Sequence, residues 1–290
     1  MKSTTCAHLL AVLMLACGLS ACGGSGSESG SAQVGDTQLP AGGVPGGWKL
    51  AWSDEFDADG LPDPGRWDYD TERNGDGWYN GELQYYARDR AENAVVKEGR
   101  LVISALKEDL SAMPDWGGQR YSSARLVTRG KASWTYGFYE IRARLPCGRG
   151  TWPAIWMLGT GGAWPDDGEI DIMEQVGSAP SSILGTIHTR LFNHAKGTQR
   201  GASTQVSSAC SAFHNYQLYW TRDRILVGVD NSYYFRFDNP GGGLGGWPFD
   251  KPQYLLLNLA IGGTLGGAVE DLIFPVQMEV DYVRVYQAGS

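Results

Sequence analysis

Gly168-Glu169-Ile170-Asp171-Ile172-Met173-Glu174-Gln175 is the stretch whose reading decides the fold. Three carboxylates fall between positions 169 and 174, separated by Ile, Ile and Met. A β-strand sends successive side chains to opposite faces. Glu169 and Asp171 therefore share one face, and Ile170 and Ile172 the other. Strict alternation would put Glu174 with the isoleucines in the core, where an unpaired carboxylate is costly. One extra residue removes the conflict: a β-bulge near Met173 turns Glu174 onto the face of Glu169 and Asp171. The expectation is three acids on one exposed face of a strand, with an apolar face behind it.

Working outward, similar short runs recur from Trp48 onward, separated by Gly, Pro, Asn and Asp. They cover 49–52, 82–86, 100–106, 122–129, 136–145, 153–158, 168–176, 183–190, 214–221, 224–229, 232–237, 253–260 and 277–286. None has a sustained helical period; the best place for a turn of helix is Pro248–Lys251. About a dozen strands with no repeat and no second boundary read as one all-β domain, a sandwich of two packed antiparallel sheets. Composition agrees: 41 Gly supply turns, and 11 Trp and 14 Tyr supply core or sugar-stacking surface. The net charge of −8 and the lack of a Lys/Arg cluster exclude a nucleic-acid partner.

The N-terminus reads as targeting. Met1-Lys2 is a short positive region, and the apolar run from Leu9 to Leu19 is too short to span a bilayer, which takes roughly 20 residues. Leu19-Ser20-Ala21-Cys22 looks like a lipobox, with cleavage before Cys22 and lipid on its sulfur. Residues 1–21 are thus a lipoprotein signal peptide, and 22–47 a lipidated Cys and Gly/Ser-rich tether. The domain occupies 48–288. The expectation is an exported monomer, lipid-anchored to the bacterial cell envelope (the outer membrane if there are two) or extracellular, touching membrane through that anchor alone. Cys6 and Cys17 leave with the signal, so Cys147 and Cys210 remain in an oxidising setting and form one disulfide.

Cleaving a glycosidic bond takes two carboxyl groups in different protonation states, about 5–5.5 Å apart for retention and about 6.5–9.5 Å for inversion. Glu169 and Glu174, four strand steps apart once a bulge absorbs one residue, have Cα atoms roughly 13 Å apart. Long side chains leaning together on a concave sheet could close most of that gap, so the spacing is compatible with retention. Asp171 between them could hold a proton and bond the nucleophile. Carboxylates alternating on a strand are more often a solvated face or a metal site. The bulge and the aromatic surroundings make this pattern more restrictive.

GEIDIMEQVG (168–177) resembles the active-site signature of glycoside hydrolase family 16 in its bulged E-x-D-x-x-E form. WSDEF (52–56), YNGELQYY (79–86), GRLVISA (99–105), YSSARLVTRG (121–130), YGFYEIRARLP (136–146), GTWPAIWML (150–158), FHNYQLYWT (213–221), LLNLAIGG (256–263) and MEVDYVRVYQ (278–287) are similar, in order, to blocks of its laminarinase-like branch. The resemblance implies a β-jelly-roll with a substrate groove across its concave sheet. It implies Glu169 as nucleophile, Asp171 as its helper and Glu174 as acid/base in retaining endo-hydrolysis of β-1,3-glucan. The same triad would also serve mixed-linkage β-glucan, agar or carrageenan; a non-catalytic β-glucan-binding surface protein is the reading from another class.

Asn80 and Arg125 match family positions that bond sugar hydroxyls, although Arg125 alone reads as a surface ion pair. Trp152 and Trp164 read as sugar contacts and Trp156 as either contact or core; Trp152 and Trp156, four apart, share a face. His188 is expected beside Glu174, tuning its proton affinity, and Asn258 is a weaker groove candidate in a mostly core segment. No cofactor is expected for catalysis. The family often carries a structural calcium remote from the site; the matching positions are Glu55, Gly99 and Asp281, the first two through carbonyl oxygens.

Overall fold

The computed structural model describes residues 43–241 and 243–289. The expected signal, Cys22 and most of the tether lie outside the described residues. The strands, in chain order, are β1 (Trp48–Asp54), β2 (Asp68–Tyr69), β3 (Gln84–Tyr86), β4 (Ala94–Val96), β5 (Leu101–Lys107), β6 (Tyr121–Ser123), β7 (Arg125–Val127), β8 (Gly137–Arg144) and β9 (Thr151–Gly159). They continue with β10 (Glu169–Gln175), β11 (Ser182–His188), β12 (Arg200–Gln205), β13 (His214–Trp220), β14 (Arg224–Val229), β15 (Ser232–Asp238), β16 (Gln253–Ile261) and β17 (Val276–Ala288). One helical turn, α1, spans Gly263–Gly266.

Two sheets form the domain. One runs β15-β14-β13-β8-β17-β5-β6-β3, with β1 on β17 and β4 on β5. The other runs β12-β11-β10-β9-β16-β7-β2. Pairing is antiparallel except for β3 with β6, which is parallel. This is the all-β jelly-roll expected from the chain, with one local departure from purely antiparallel sheets.

Period-two patterning explains the layering. Along β8, Tyr139, Ile141 and Ala143 enter the core between the sheets, while Glu140, Arg142 and Arg144 point the other way. β16 is buried throughout because it lies mid-sheet with both faces covered. Leu255, Leu257, Leu259 and Ile261 join the central core; Tyr254 and Leu256 pack on the opposite face with Val127, partly covered by Trp156. Ile155, Met157, Ile170, Ile172 and Met173 belong to the same core as Tyr216, Leu218 and Trp220 from the facing sheet. Burying each such aliphatic chain contributes about 1.5–3 kcal/mol.

Several elements differ from the sequence expectation. Pro248–Lys251 is a turn, closed by the Lys251 N–H on the Pro248 carbonyl (3.3 Å), not a turn of helix. The run 122–129 breaks at Ala124: β6 and β7 belong to different sheets. β2, β4 and β12 have no counterpart in the apolar runs. β12, RGASTQ, lies at an edge and is recruited by pairing with β11 rather than by burial. Cys147 and Cys210 are joined, with Cα atoms 5.7 Å apart.

Candidate active site

The bulge lies in β10. Asp171 pairs with Trp156 of β9 and Met173 with the next residue back, Ile155. On the other side Asp171 pairs with Thr186 of β11 and Glu174 with Leu184, so Ile172 and Met173 together oppose Gly185. Both bulged side chains are wholly buried. Gly185 fits there for a steric reason: a Cβ would come within 2.9 Å of Val227 and of the Tyr234 hydroxyl. Gly168 opens the strand with φ +82°, which favours glycine, and packs against Pro248 and Phe249.

The result is a groove of about 600 Å³ over the outer face of this sheet, its floor carrying Glu169, Asp171 and Glu174. The acids are less exposed than the sequence led one to expect. Asp171 is only 3 % exposed, because tryptophans wall the groove around it. Two of these walls bond the outer carboxyls. Trp164 donates its indole N–H to Glu169 Oε2 (2.5 Å), and Trp152 donates to Glu174 Oε1 (3.0 Å). Trp152 is buried, whereas Trp164 remains 42 % exposed at the rim. Trp156, on the same face of β9 as Trp152, donates to Asn258 Oδ1 (2.7 Å), and Asn258 donates to the Tyr86 hydroxyl (3.1 Å).

His188 lies nearest the other two acids, although its charge also lowers Glu174 as expected. It is the cross-strand partner of Glu169, and its Nε2 lies 3.3 Å from Asp171 Oδ2 and 3.9 Å from Glu169 Oε1. Glu174 lies further along β10, at the level of Leu184, and the bulge brings it one residue nearer to His188 than regular pairing would. Arg125 forms the expected ion pair, with Asp70 at 3.2 Å, but inside the groove wall and almost fully buried. Its guanidinium lies against the rings of Trp78 and Trp156, at 5.2 and 4.7 Å. Asn80 lines the groove with φ +60° and approaches Glu82 Oε1 at 3.5 Å.

Burial, then the charge of Asp171, pushes Glu169 well above the ordinary carboxylate range. Burial, then the charge of Glu174, does the same to Asp171. Burial raises Glu174 also, with the Trp152 N–H pulling it partly back. Each of the three close acids therefore holds its proton more firmly than an isolated carboxyl would. Asp171 Oδ2 has no hydrogen-bond donor, whereas Glu169 and Glu174 each have an indole N–H. Glu169 and Asp171 also share a hydrogen bond, which raises Glu169 further and lowers Asp171. Three carboxyls of raised proton affinity lie side by side, an arrangement suited to acid/base cleavage of an acetal.

Glu82 and His194 are among the groove residues that went unread in the sequence. Glu82 lines the groove, accepts from Gln84 (2.9 Å) and is raised by burial; its place inside YNGELQYY was the available signal. His194 lies 5.0 Å from the Trp164 ring and 5.1 Å from His188, and nothing in the flanking residues marked it.

Among the described residues, Glu169, Asp171 and His188 form a group whose donor atoms, all within 4.8 Å, could share an ion. The calcium positions converge elsewhere. Asp281 is the extra residue of a bulge in β17, and the pairings of Val283 with Asp54 and Val280 with Leu101 bring Glu55 and Gly99 in from either side. The Asp281 carboxylate, however, is paired with Arg142 and that of Glu55 with Arg284.

Residues 82–284 match the model of glycosyl hydrolases family 16. The chain is 55 % identical over 252 residues to a β-glucanase of Rhodothermus marinus, covering 83 % of this chain and 85 % of that protein. Among solved structures it is similar to a non-specific endo-β-1,3(4)-glucanase (55 % identity, TM-score 0.83, 85 % of this chain and 93 % of that one). It is also similar to the laminarinase of Rhodothermus marinus (54 % identity, TM-score 0.79, 84 % and 98 %).

Proposed function

This chain belongs to glycosyl hydrolase family 16 and is a glycoside hydrolase, and we propose that it cleaves β-1,3-glucosidic bonds within glucan chains by retaining double displacement. Glu169 attacks the anomeric carbon while Glu174 protonates the departing oxygen. Glu174, now a carboxylate, then takes a proton from the water that releases the sugar from Glu169. Asp171 keeps its proton and donates to Glu169, which holds the two glutamates in different charge states. The carrying observation is the β10 bulge, which turns Glu174 onto the groove face of Glu169 and Asp171. Catalysis needs no cofactor.

The β-glucanase and laminarinase relatives support glucan as the polymer. The test is reducing-sugar release from laminarin, lichenan, curdlan, agarose and carrageenan. Preference for laminarin and curdlan supports the reading, preference for a galactan moves the substrate, and no release from any polymer leaves a binding protein.

The proposal includes two further parts. The chain works as an exported monomer tethered through a lipid on Cys22, which mass analysis of the mature N-terminus tests. A structural calcium at Glu55, Gly99 and Asp281 would have to displace Arg142 from Asp281.

A further inference from the structure

A second constellation lies away from the groove. Ser208 sits in the turn that follows β12, His214 opens β13, and Asp230 occupies the β14–β15 turn. Ser208 Oγ is 2.9 Å from His214 Nε2, and His214 Nδ1 is 2.6 Å from Asp230 Oδ2. The other oxygen, Asp230 Oδ1, accepts the Asn215 N–H at 2.9 Å, which fixes the carboxylate. A carboxylate on Nδ1 retains the proton there and leaves Nε2 as the acceptor for the serine hydroxyl. This is the order and tautomer of an activated serine nucleophile, and such arrangements are recognised by geometry rather than fold.

The surroundings give the serine access. Ser208 and Asp230 line a separate cavity of about 460 Å³, together with Thr204, Gln205, Ser232 and Tyr233. Neither they nor His214 line the groove of the three acids. His214 is mostly shielded, its side chain 13 % exposed, while Asp230 stays half open. The chain holds the turn in place: the N–H groups of Ser211 and Ala212 both bond the Ser208 carbonyl (2.9 Å each), and the disulfide at Cys210 follows directly. A hydroxyl- and amide-lined cavity suits a small acyl group carried on a polar alcohol such as a sugar.

We propose that Ser208, His214 and Asp230 form a second hydrolytic site, one that cleaves small carboxylic esters. Ser208 Oγ attacks the ester carbonyl as its proton passes to His214 Nε2. The bond between the carbonyl carbon and the alkoxy oxygen breaks, the alcohol leaves with that proton, and the acyl group stays on Ser208. Water, deprotonated by His214, then releases the carboxylic acid and restores the serine. The step needs water alone and no change of oxidation state.

The test uses the full chain, p-nitrophenyl acetate and an alkyl fluorophosphonate. General-base activation is worth roughly 10²–10⁴-fold, so Ser208→Ala should lower p-nitrophenyl acetate hydrolysis at least tenfold while keeping the circular dichroism spectrum. Asp230→Asn, which reverses the imidazole tautomer, should lower it comparably. Peptide mapping should find one phosphonyl adduct, on Ser208. An adduct elsewhere or none, or a Ser208→Ala rate within twofold of the parent, overturns the proposal and reduces the three side chains to a fastening between turn and hairpin.

Discussion

Replacing Trp152 by Phe isolates one hydrogen bond to the proposed acid. The change removes the indole N–H that Glu174 Oε1 accepts at 3.0 Å and keeps an aromatic ring in a site that is 7 % exposed. A hydrogen bond to a charged acceptor is worth about 1.5–3 kcal/mol and one to a neutral acceptor about 0.5–1.5. The carboxylate therefore loses about 1 kcal/mol more than the acid, and at 1.36 kcal/mol per unit the Glu174 pKa rises by about one unit. The direction follows from the donor: Trp152 holds Glu174 down against burial. The alkaline limb of kcat/KM for laminarin reports the protonated acid of the free enzyme. As a property of coupled carboxyls, it should move upward by up to about one unit. The assay is initial-rate hydrolysis from pH 4 to pH 10. A limb that stays in place or moves down would falsify the assignment of Glu174 as the acid bonded by Trp152.

Glu169→Gln and Glu174→Gln should each lose nearly all laminarin hydrolysis yet remain folded; wild-type-like turnover by either refutes its role. Both carboxyls have raised folded-state pKa values, so each charge opposes folding above the unfolded pKa of about 4.3, and this opposition disappears below it. The Gln variants should therefore melt higher than the parent at pH 7 and lose that advantage near pH 4, as calorimetry at the two pH values will determine. Trp164→Phe removes a donor at an exposed rim, so its effect on kcat/KM should be smaller, about 1 kcal/mol or roughly fivefold. Reducing the Cys147–Cys210 bond, which closes a separation of 63 residues, should cost about 4 kcal/mol and lower the melting temperature by on the order of 10 °C. A scan with dithiothreitol that superimposes on the oxidised one contradicts this. Saturating chelator lowers the melting temperature if calcium occupies Asp281, and an unchanged transition removes the ion from the account.

The legible parts of the chain were those governed by local periodicity. Alternation in GEIDIMEQ, set against the cost of burying Glu174, was enough to require the bulge and put three acids on one face. The same rule located most of the sandwich. What it missed depends on partners distant in sequence. β12 carries no apolar alternation because its place comes from pairing with β11 at an edge. Residues 122–129 read as one strand because nothing local signals that Ala124 passes the chain between sheets. His188 lies closest to Asp171 and Glu169 because it pairs across the strands with Glu169, a register that no local period reveals. His194 reaches the groove from a short helical turn between β11 and β12, and Glu82 from a bridge to Gly262 just before β3, placements that no local period encodes. Pro248–Lys251 has residues that suit a helical start but closes as a single turn.

The central claim is retention through Glu169, and the most direct measurement is proton NMR of the first products released from laminarin, recorded before mutarotation. The account predicts that the new reducing ends appear as the β-anomer and convert to the α-form only with time. The α-anomer appearing first would mean that water attacks the sugar directly, and Glu169 would then be a base rather than a nucleophile.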